Sequence, residues 1–122
     1  MIIDLKSERI LAISTGKGRD HDLTMFRSSG VTLLKRTCLL CDRGYNGIRK
    51  DHANVMLPYK RTKLKDLTKS QQAYNRRLAR KRVRIEHVFA RMKVFKILAE
   101  KYRNRRERYA LHVMLIAAML NF

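Results

Sequence analysis

Two acidic side chains could do chemistry in a chain that is otherwise strongly basic. Glu86 is the only acid in residues 69–99, and basic residues surround it. Asp42 follows the apolar run 37–41 and precedes Gly44, which predicts a carboxylate at a strand end beside an open turn. Mg²⁺-like ions prefer carboxylate oxygens, and two of them can hold the attacking and leaving oxygens of a phosphodiester. These two acids are therefore candidates for a hydrolytic metal centre in a basic groove.

Each acid also has a purely structural interpretation, and the residues by themselves leave both interpretations open. Arg82 and Glu86 stand four positions apart, the spacing of an ion pair on one helix face. Asp42 could be an ordinary turn aspartate whose side chain hydrogen-bonds the backbone two residues on.

Two further groups of reactive residue types favour structural roles. Cys38 and Cys41 have C-x-x-C spacing, but a structural zinc site needs four ligands and the chain has no second cysteine pair. Their apolar surroundings predict that both are buried as small hydrophobic residues. His21 and Asp22 could be a base and its orienting partner. Adjacent residues on a helix do not face each other, however, so we expect a capping or local structural role.

The distribution of charge indicates a polyanionic partner. The 122 residues carry 29 Lys and Arg against 10 Asp and Glu, a formal charge of +19, which favours nucleic acid over an anionic membrane surface. Residues 60–108 hold 19 of the 29 basic residues, and the absence of Trp favours contacts to the phosphate backbone over base stacking. The apolar run 113–120 is much shorter than the about 20 residues that span a bilayer, so we expect a soluble intracellular protein. The candidate DNA-binding residues are Lys60, Arg61, Lys63, Arg76, Arg80, Arg82 and Lys93.

Short strands are predicted to come first in the chain. Residues 1–5 and 10–13 flank a polar turn and predict a β-hairpin. A short helix is expected over residues 22–29, and brief apolar runs predict strands at 37–41 and 55–57.

Helices are predicted for the chain from residue 68 onward. Thr68 and Gln71 form a capping box at the start of a long helix, and Asn104 and Glu107 form a second such pair. Residues 113–120 are apolar on every side, so the final helix should be largely buried. The pattern predicts an α+β fold with a short mixed sheet, a long helix and a buried C-terminal helix, in one domain or a piece of one. The apolar stripe of the long helix comprises Leu78, Ile85, Val88, Phe89, Met92 and Phe95.

A series of blocks resembles a known family. The blocks extend over nearly the whole chain. Their residues and their order resemble the C-terminal catalytic part of DDE-superfamily endonucleases, the transposases of bacterial insertion sequences. The blocks are Gly16–Asp22, Asp42–Gly47, Leu57–Lys60, Leu67–Thr68, Tyr74–Arg76, Arg82–Val88, Met92–Leu98 and Tyr102–Arg106.

This resemblance implies a fold, a reaction and a site. Family members have a ribonuclease H-like fold and cut and rejoin DNA with Mg²⁺ or Mn²⁺, in a two-metal arrangement held by an Asp-Asp-Glu triad. Asp42 matches the second aspartate and Glu86 matches the glutamate, which makes both expected catalytic residues and metal ligands. The implied partners are transposon ends and target DNA, and the implied location is the nucleoid of the bacterial cytoplasm.

The chain also departs from the family pattern. The family's first aspartate lies on a strand before the hairpin with which this chain begins, and a DNA-recognition domain usually precedes that strand. Asp4 could be mistaken for the missing acid, but its place just ahead of the Gly16–Asp22 block argues against this. We therefore expect a partial catalytic domain over residues 1–122, inactive alone, that self-associates or pairs with a missing N-terminal part. The alternative is a non-enzymatic basic nucleic-acid-binding protein.

Overall fold

The chain divides into two compact units. The computed structural model describes residues 1–16, 18–101 and 106–122. One unit combines Met1–Lys17 with Val83–Phe122, and the other is Gly18–Arg82. Each unit has its own cluster of buried apolar residues, whereas the chain length had suggested a single core. The elements are β1 (Ile2–Ile3), β2 (Ile10–Ala12), α1 (Asp22–Ser28), β3 (Leu39–Leu40), β4 (Val55–Met56), α2 (Lys69–Lys93), α3 (Lys96–Ala99) and α4 (Arg106–Leu120).

The first unit begins with the predicted hairpin. Strands β1 and β2 pair antiparallel, although both are shorter than the sequence pattern indicated. The Asp4 carboxylate accepts hydrogen bonds from the Ser7 backbone N–H, at 2.8 Å, and from the Ser7 hydroxyl. These bonds lower the pKa of Asp4. Asp4 therefore closes the turn of the hairpin.

Strand β2 packs against α2 and α4 in the core of the first unit. Asn121, just beyond α4, joins the helix end to the strand, since its amide accepts from the Ile10 N–H and donates to the Ile10 carbonyl oxygen, both at 2.8 Å. The buried residues of this core are Ile10, Val88, Met92, Val113, Ile116 and Ala117.

The final helix is only half buried, so the prediction of a largely buried C-terminal helix was wrong. Met114, Leu115 and Met119 are 57%, 53% and 61% exposed. A helix packed against neighbours along one stripe leaves the opposite stripe uncovered, whatever residues occupy it. Of the predicted capping pair, Asn104 lies outside the described residues, as does the side chain of Glu107.

The second unit contains a separate parallel strand pair. Strand β3 pairs with β4, with Leu39 opposite Val55 and Leu40 opposite Met56. Among the described residues there are therefore two sheets of two strands each, where the sequence predicted one short mixed sheet. Cys41, Ile48 and Val55 form the buried cluster, and Leu23 and Phe26 of α1 pack against it. The mixed α+β class is confirmed.

Helix α2 begins as predicted. The Gln71 N–H donates to the Thr68 hydroxyl at 3.2 Å, and the Thr68 N–H donates to the Gln71 side-chain oxygen at 3.0 Å, which completes the capping box.

The apolar stripe of α2 is only partly buried. Leu78, in the second unit, is buried, as are Val88 and Met92 in the first, but Phe89 is 42% exposed and Phe95 lies beyond the end of the helix. No helix within the described ranges is both long and apolar enough to cross a membrane.

Candidate functional site

Asp42 lies at the start of a tight turn that β3 leads into. It caps the short 3-10 turn Arg43–Tyr45, and its Oδ1 accepts a hydrogen bond from the Gly44 N–H at 2.9 Å. One carboxylate oxygen is thereby fixed by the backbone. The position at a strand end, followed by a glycine turn, is the one that the sequence predicted.

Gly44 lies between two carboxylates. A β-carbon at this position would lie 2.5 Å from Asp22 Oδ2 and 3.2 Å from Asp42 Oδ1. The separation of those two oxygens therefore cannot exceed the sum of the two distances. Because 2.5 Å is far below van der Waals contact, only glycine fits here without moving Asp22.

Asp22, considered from the sequence only as a partner of His21, lies beside the Asp42 turn. It is exposed in the first turn of α1, and it receives no hydrogen bond or salt bridge from any residue that the structure describes. His21 does occupy the predicted N-cap position, but its side chain makes no capping hydrogen bond. Asp22 and Asp42 are 20 positions apart, so no short motif contains both. The only sequence signal for their proximity is that one begins a helix and the other begins a glycine turn.

A guanidinium group approaches the other oxygen of Asp42. Arg82 Nη2 lies 3.9 Å from Asp42 Oδ2, with the two side chains 30% and 44% exposed. This distance is too long for a hydrogen bond, so the interaction is a solvent-screened attraction of two charges. Arg82 was predicted to contact DNA, and the structure places it beside the candidate metal ligand.

Two neighbouring groups stay protonated at neutral pH. Burial, followed by the charges of Asp22 and Asp42, raises the pKa of Tyr45 to about 12. Burial and the charge of Asp42 raise the pKa of the Cys41 thiol to about 12, so this thiol is a poor metal ligand or nucleophile. Cys38 is exposed, so the prediction that both cysteines are buried was wrong for Cys38.

Glu86 is an exposed residue of α2 and belongs to the first unit. The alternative interpretation, an Arg82–Glu86 ion pair, is not borne out, because Arg82 pairs with Asp42 and no described residue forms a salt bridge with Glu86. Asp42 belongs to the second unit, so its convergence with Glu86 stays a prediction.

Six of the seven predicted DNA-binding residues are exposed, and the seventh, Arg82, is half-buried. Arg61 forms a salt bridge with Asp66. Lys93 ends α2 in the first unit, whereas the others belong to the second. The exposed six are Lys60, Arg61, Lys63, Arg76, Arg80 and Lys93.

The basic loop that precedes α2 is tied to that helix. The Asn75 amide accepts from the Tyr59 N–H at 2.8 Å and donates to the Tyr59 carbonyl oxygen at 3.0 Å. The rings of Tyr59 and Tyr74 meet edge to face, 5.2 Å apart. This attachment holds Lys60 and Arg61 next to the first turns of α2. The sequence pattern did not reveal that the Tyr59–Tyr74 ring contact contributes to it.

Comparison with known proteins gives the family. The model of a family described as DDE superfamily endonuclease matches residues 1–121. The chain belongs to this family. Over all of its 122 residues it is 42% identical to the probable transposase for insertion sequence element IS702 of Microchaete diplosiphon, and it spans 44% of the length of that protein. No solved structure matches the chain. The resemblance found in the sequence blocks is confirmed.

The side chains beside Gly44 offer oxygen ligands suited to a divalent metal ion, which DDE superfamily endonucleases generally use. Asp42 Oδ2 accepts no hydrogen bond from the described residues, Asp22 Oδ2 lies across the glycine, and both are hard oxygen donors of the kind that Mg²⁺ and Mn²⁺ take. A β-carbon on Gly44 would crowd Asp22 Oδ2 and Asp42 Oδ1, so the glycine lets the two carboxylates approach each other. Within the described ranges no cluster of three or more His, Cys, Asp or Glu side chains that could hold a metal ion occurs.

Proposed function

We propose that this chain is part of the catalytic domain of an insertion-sequence transposase with a ribonuclease H-like fold. In this proposal Asp42 and Glu86 are catalytic metal ligands for DNA cleavage and strand transfer. The observation that carries it is the Asp42 turn, where the backbone holds one carboxylate oxygen while the other accepts no hydrogen bond, in a chain that belongs to the DDE superfamily.

The side chains have distinct roles in this mechanism. Bound Mg²⁺ or Mn²⁺ ions supply the charge that activates a water or 3′-hydroxyl for in-line attack on a phosphodiester. The Gly44 N–H orients Asp42 by fixing its Oδ1, and α2 carries Glu86. The basic residues bind phosphates of transposon-end and target DNA, which gives affinity without sequence readout. These contacts are assigned to Lys60, Arg61, Lys63, Arg76, Arg80, Arg82 and Lys93.

Asp42 and Glu86 match two of the three acids of the family's Asp-Asp-Glu triad, so the proposed site needs a further carboxylate. The chain spans 44% of the length of its relative. We expect residues 1–122 to bind DNA without cutting it. Self-association, or pairing with a second polypeptide, would supply that carboxylate at the bacterial nucleoid.

Metal binding tests this proposal without requiring turnover. We expect Asp42→Asn and Glu86→Gln each to weaken Mn²⁺ binding about tenfold, since each removes one charged oxygen ligand. Free Mn²⁺ in a titration is read by electron paramagnetic resonance, with Asp51→Asn as control because Asp51 pairs with Arg27 away from the turn. Unchanged Mn²⁺ affinity in both variants would contradict the proposal, as would Mg²⁺-dependent plasmid cleavage by the parent chain that Asp4→Ala abolishes.

A non-enzymatic nucleic-acid-binding protein is the second candidate, because a formal charge of +19 is sufficient for DNA binding without catalysis. In that case both substitutions would leave Mn²⁺ affinity unchanged. They would only tighten DNA binding, because each removes a negative charge.

A further inference from the structure

We infer that Asp22 is a further ligand of the divalent cation bound by Asp42, an inference that rests on the proposed function. Asp22 enters from α1, across Gly44 from Asp42. The two acids would then form one half of a metal site within the second unit, with Gly44 leaving the space between them.

The geometry brings two carboxylate oxygens to one point. The place of a Gly44 β-carbon lies 2.5 Å from Asp22 Oδ2 and 3.2 Å from Asp42 Oδ1. Ligand oxygens bond Mg²⁺ at about 2.1 Å, so two oxygens that share an ion stand about 3 to 4 Å apart. Because both distances are measured to one point, the two oxygens stand no farther apart than the sum of those distances, which rotation of the Asp22 side chain can shorten.

The elements that carry the two acids are fixed by packing. Leu23, next to Asp22, and Phe26 pack against the buried Cys41, Ile48 and Val55, and Cys41 is next to Asp42. The cluster therefore holds the start of α1 against the turn. Preorganisation of this kind lowers the entropy cost of forming a two-carboxylate site.

Asp22 can oppose the dipole of α1 from its first turn, but the described residues give its carboxylate no direct partner. It receives no hydrogen bond or salt bridge from the described residues, and His21, not Asp22, is the N-cap. Two carboxylates near one another repel, a cost that a shared divalent cation removes. Arg82 lies near the Asp42 carboxylate only, at 3.9 Å, so it leaves Asp22 without a cationic partner.

Terbium luminescence tests the inference without turnover. Tb³⁺ binds hard oxygen ligands and is excited by a nearby tyrosine, and the chain has no Trp to compete as a donor. Tyr45 ends the 3-10 turn that Asp42 caps, and its N–H donates to the Asp42 carbonyl oxygen at 3.3 Å. We expect saturable Tyr-sensitised Tb³⁺ emission from the full chain, displaced by Mn²⁺. Tyr45→Phe should reduce the emission while leaving Mn²⁺ affinity unchanged.

Four variants separate the outcomes. We expect Asp22→Asn to weaken Mn²⁺ binding at least tenfold, with Asp66→Asn, which removes an acid in the Arg61 ion pair, as its matched control. Gly44→Ala should have a similar effect because its β-carbon displaces Asp22. Gly18→Ala is the control for Gly44→Ala, since a β-carbon at Gly18 meets nothing within 4 Å.

The result also shows which proposal fails. Full Mn²⁺ affinity in Asp22→Asn, with loss in Asp42→Asn, overturns the role of Asp22 and leaves the proposed function standing. Unchanged affinity in Asp22→Asn, Asp42→Asn and Glu86→Gln overturns both proposals, as does the absence of saturable Tb³⁺ or Mn²⁺ binding in the parent chain. Circular dichroism of each variant distinguishes loss of a ligand from loss of the fold.

Discussion

At the scale of single residues, Arg82 is a cation that competes for the Asp42 carboxylate. Its guanidinium approaches Asp42 Oδ2 at 3.9 Å, while Oδ1 is bound to the Gly44 N–H. Partly exposed ion pairs of this kind contribute about 0.2–1 kcal/mol. A metal ion bound by Asp42 would repel this guanidinium, which would free Arg82 to contact a phosphate.

Arg82→Gln is therefore expected to tighten Mn²⁺ binding at Asp42 by about two- to fivefold. This factor corresponds to the loss of an ion pair that contributes up to about 1 kcal/mol. It should also weaken DNA binding, because a phosphate contact is lost. Electron paramagnetic resonance titration measures the first effect, and fluorescence anisotropy with labelled DNA measures the second. Arg82→Lys retains the charge and serves as control. Weaker Mn²⁺ binding in Arg82→Gln would show that Arg82 positions Asp42 instead of competing for it.

Local sequence patterns predicted Asp42 but not Asp22. The order of apolar run, aspartate and glycine describes a strand that ends in a turn, so the environment of Asp42 could be predicted from neighbours in the chain. Asp22 reaches the same place only through the packing of Leu23 and Phe26, which no local pattern reveals. The exposure of Cys38, three residues from the buried Cys41, likewise depends on where β3 begins.

At the scale of elements, Asn75 determines how the basic loop attaches to α2. Its amide satisfies both backbone groups of Tyr59. We expect Asn75→Ala to lower the free energy of unfolding by about 0.5–1.5 kcal/mol in urea denaturation, because water replaces Asn75 as the partner of the exposed Tyr59 N–H and C=O. DNA affinity should fall as well, because Lys60 and Arg61 lose their fixed position.

Asn75→Asp is the graded comparison. Its side chain can still accept from the Tyr59 N–H but cannot donate to the Tyr59 carbonyl oxygen. We therefore expect its free energy of unfolding to lie between those of the parent and Asn75→Ala. Equal stability and equal DNA affinity in all three proteins would mean that the loop does not need this attachment.

Helix starts were easier to predict than helix burial. The capping box of Thr68 and Gln71 fixed the start of α2 because both partners lie within one turn. The burial of the apolar face of α2 was harder to predict. Leu78 packs in one unit, Val88 and Met92 pack in the other, and Phe89 stays exposed. Burial depends on what a helix packs against, which its own periodicity does not specify.

At the scale of the whole molecule, charge and apolar exposure have opposite effects on association. A formal charge of +19 opposes self-association at low ionic strength. The uncovered stripe of α4 favours it, because residues 111–122 carry no Lys, Arg, Asp or Glu and the stripe exposes four large apolar side chains. These are Leu111, Met114, Leu115 and Met119.

We therefore expect the chain to associate more as salt screens its charge, with α4 as the contact surface. Leu115→Lys with Met119→Lys should lower the average mass at high salt, because each places a charge in the apolar stripe. Light scattering after size exclusion, over a range of protein and salt concentrations, measures this. Leu64→Lys is the matched control, since Leu64 is fully exposed in the loop before α2. A parent protein that is a monodisperse monomer with a cooperative thermal transition throughout that range would show that the α4 stripe needs no partner.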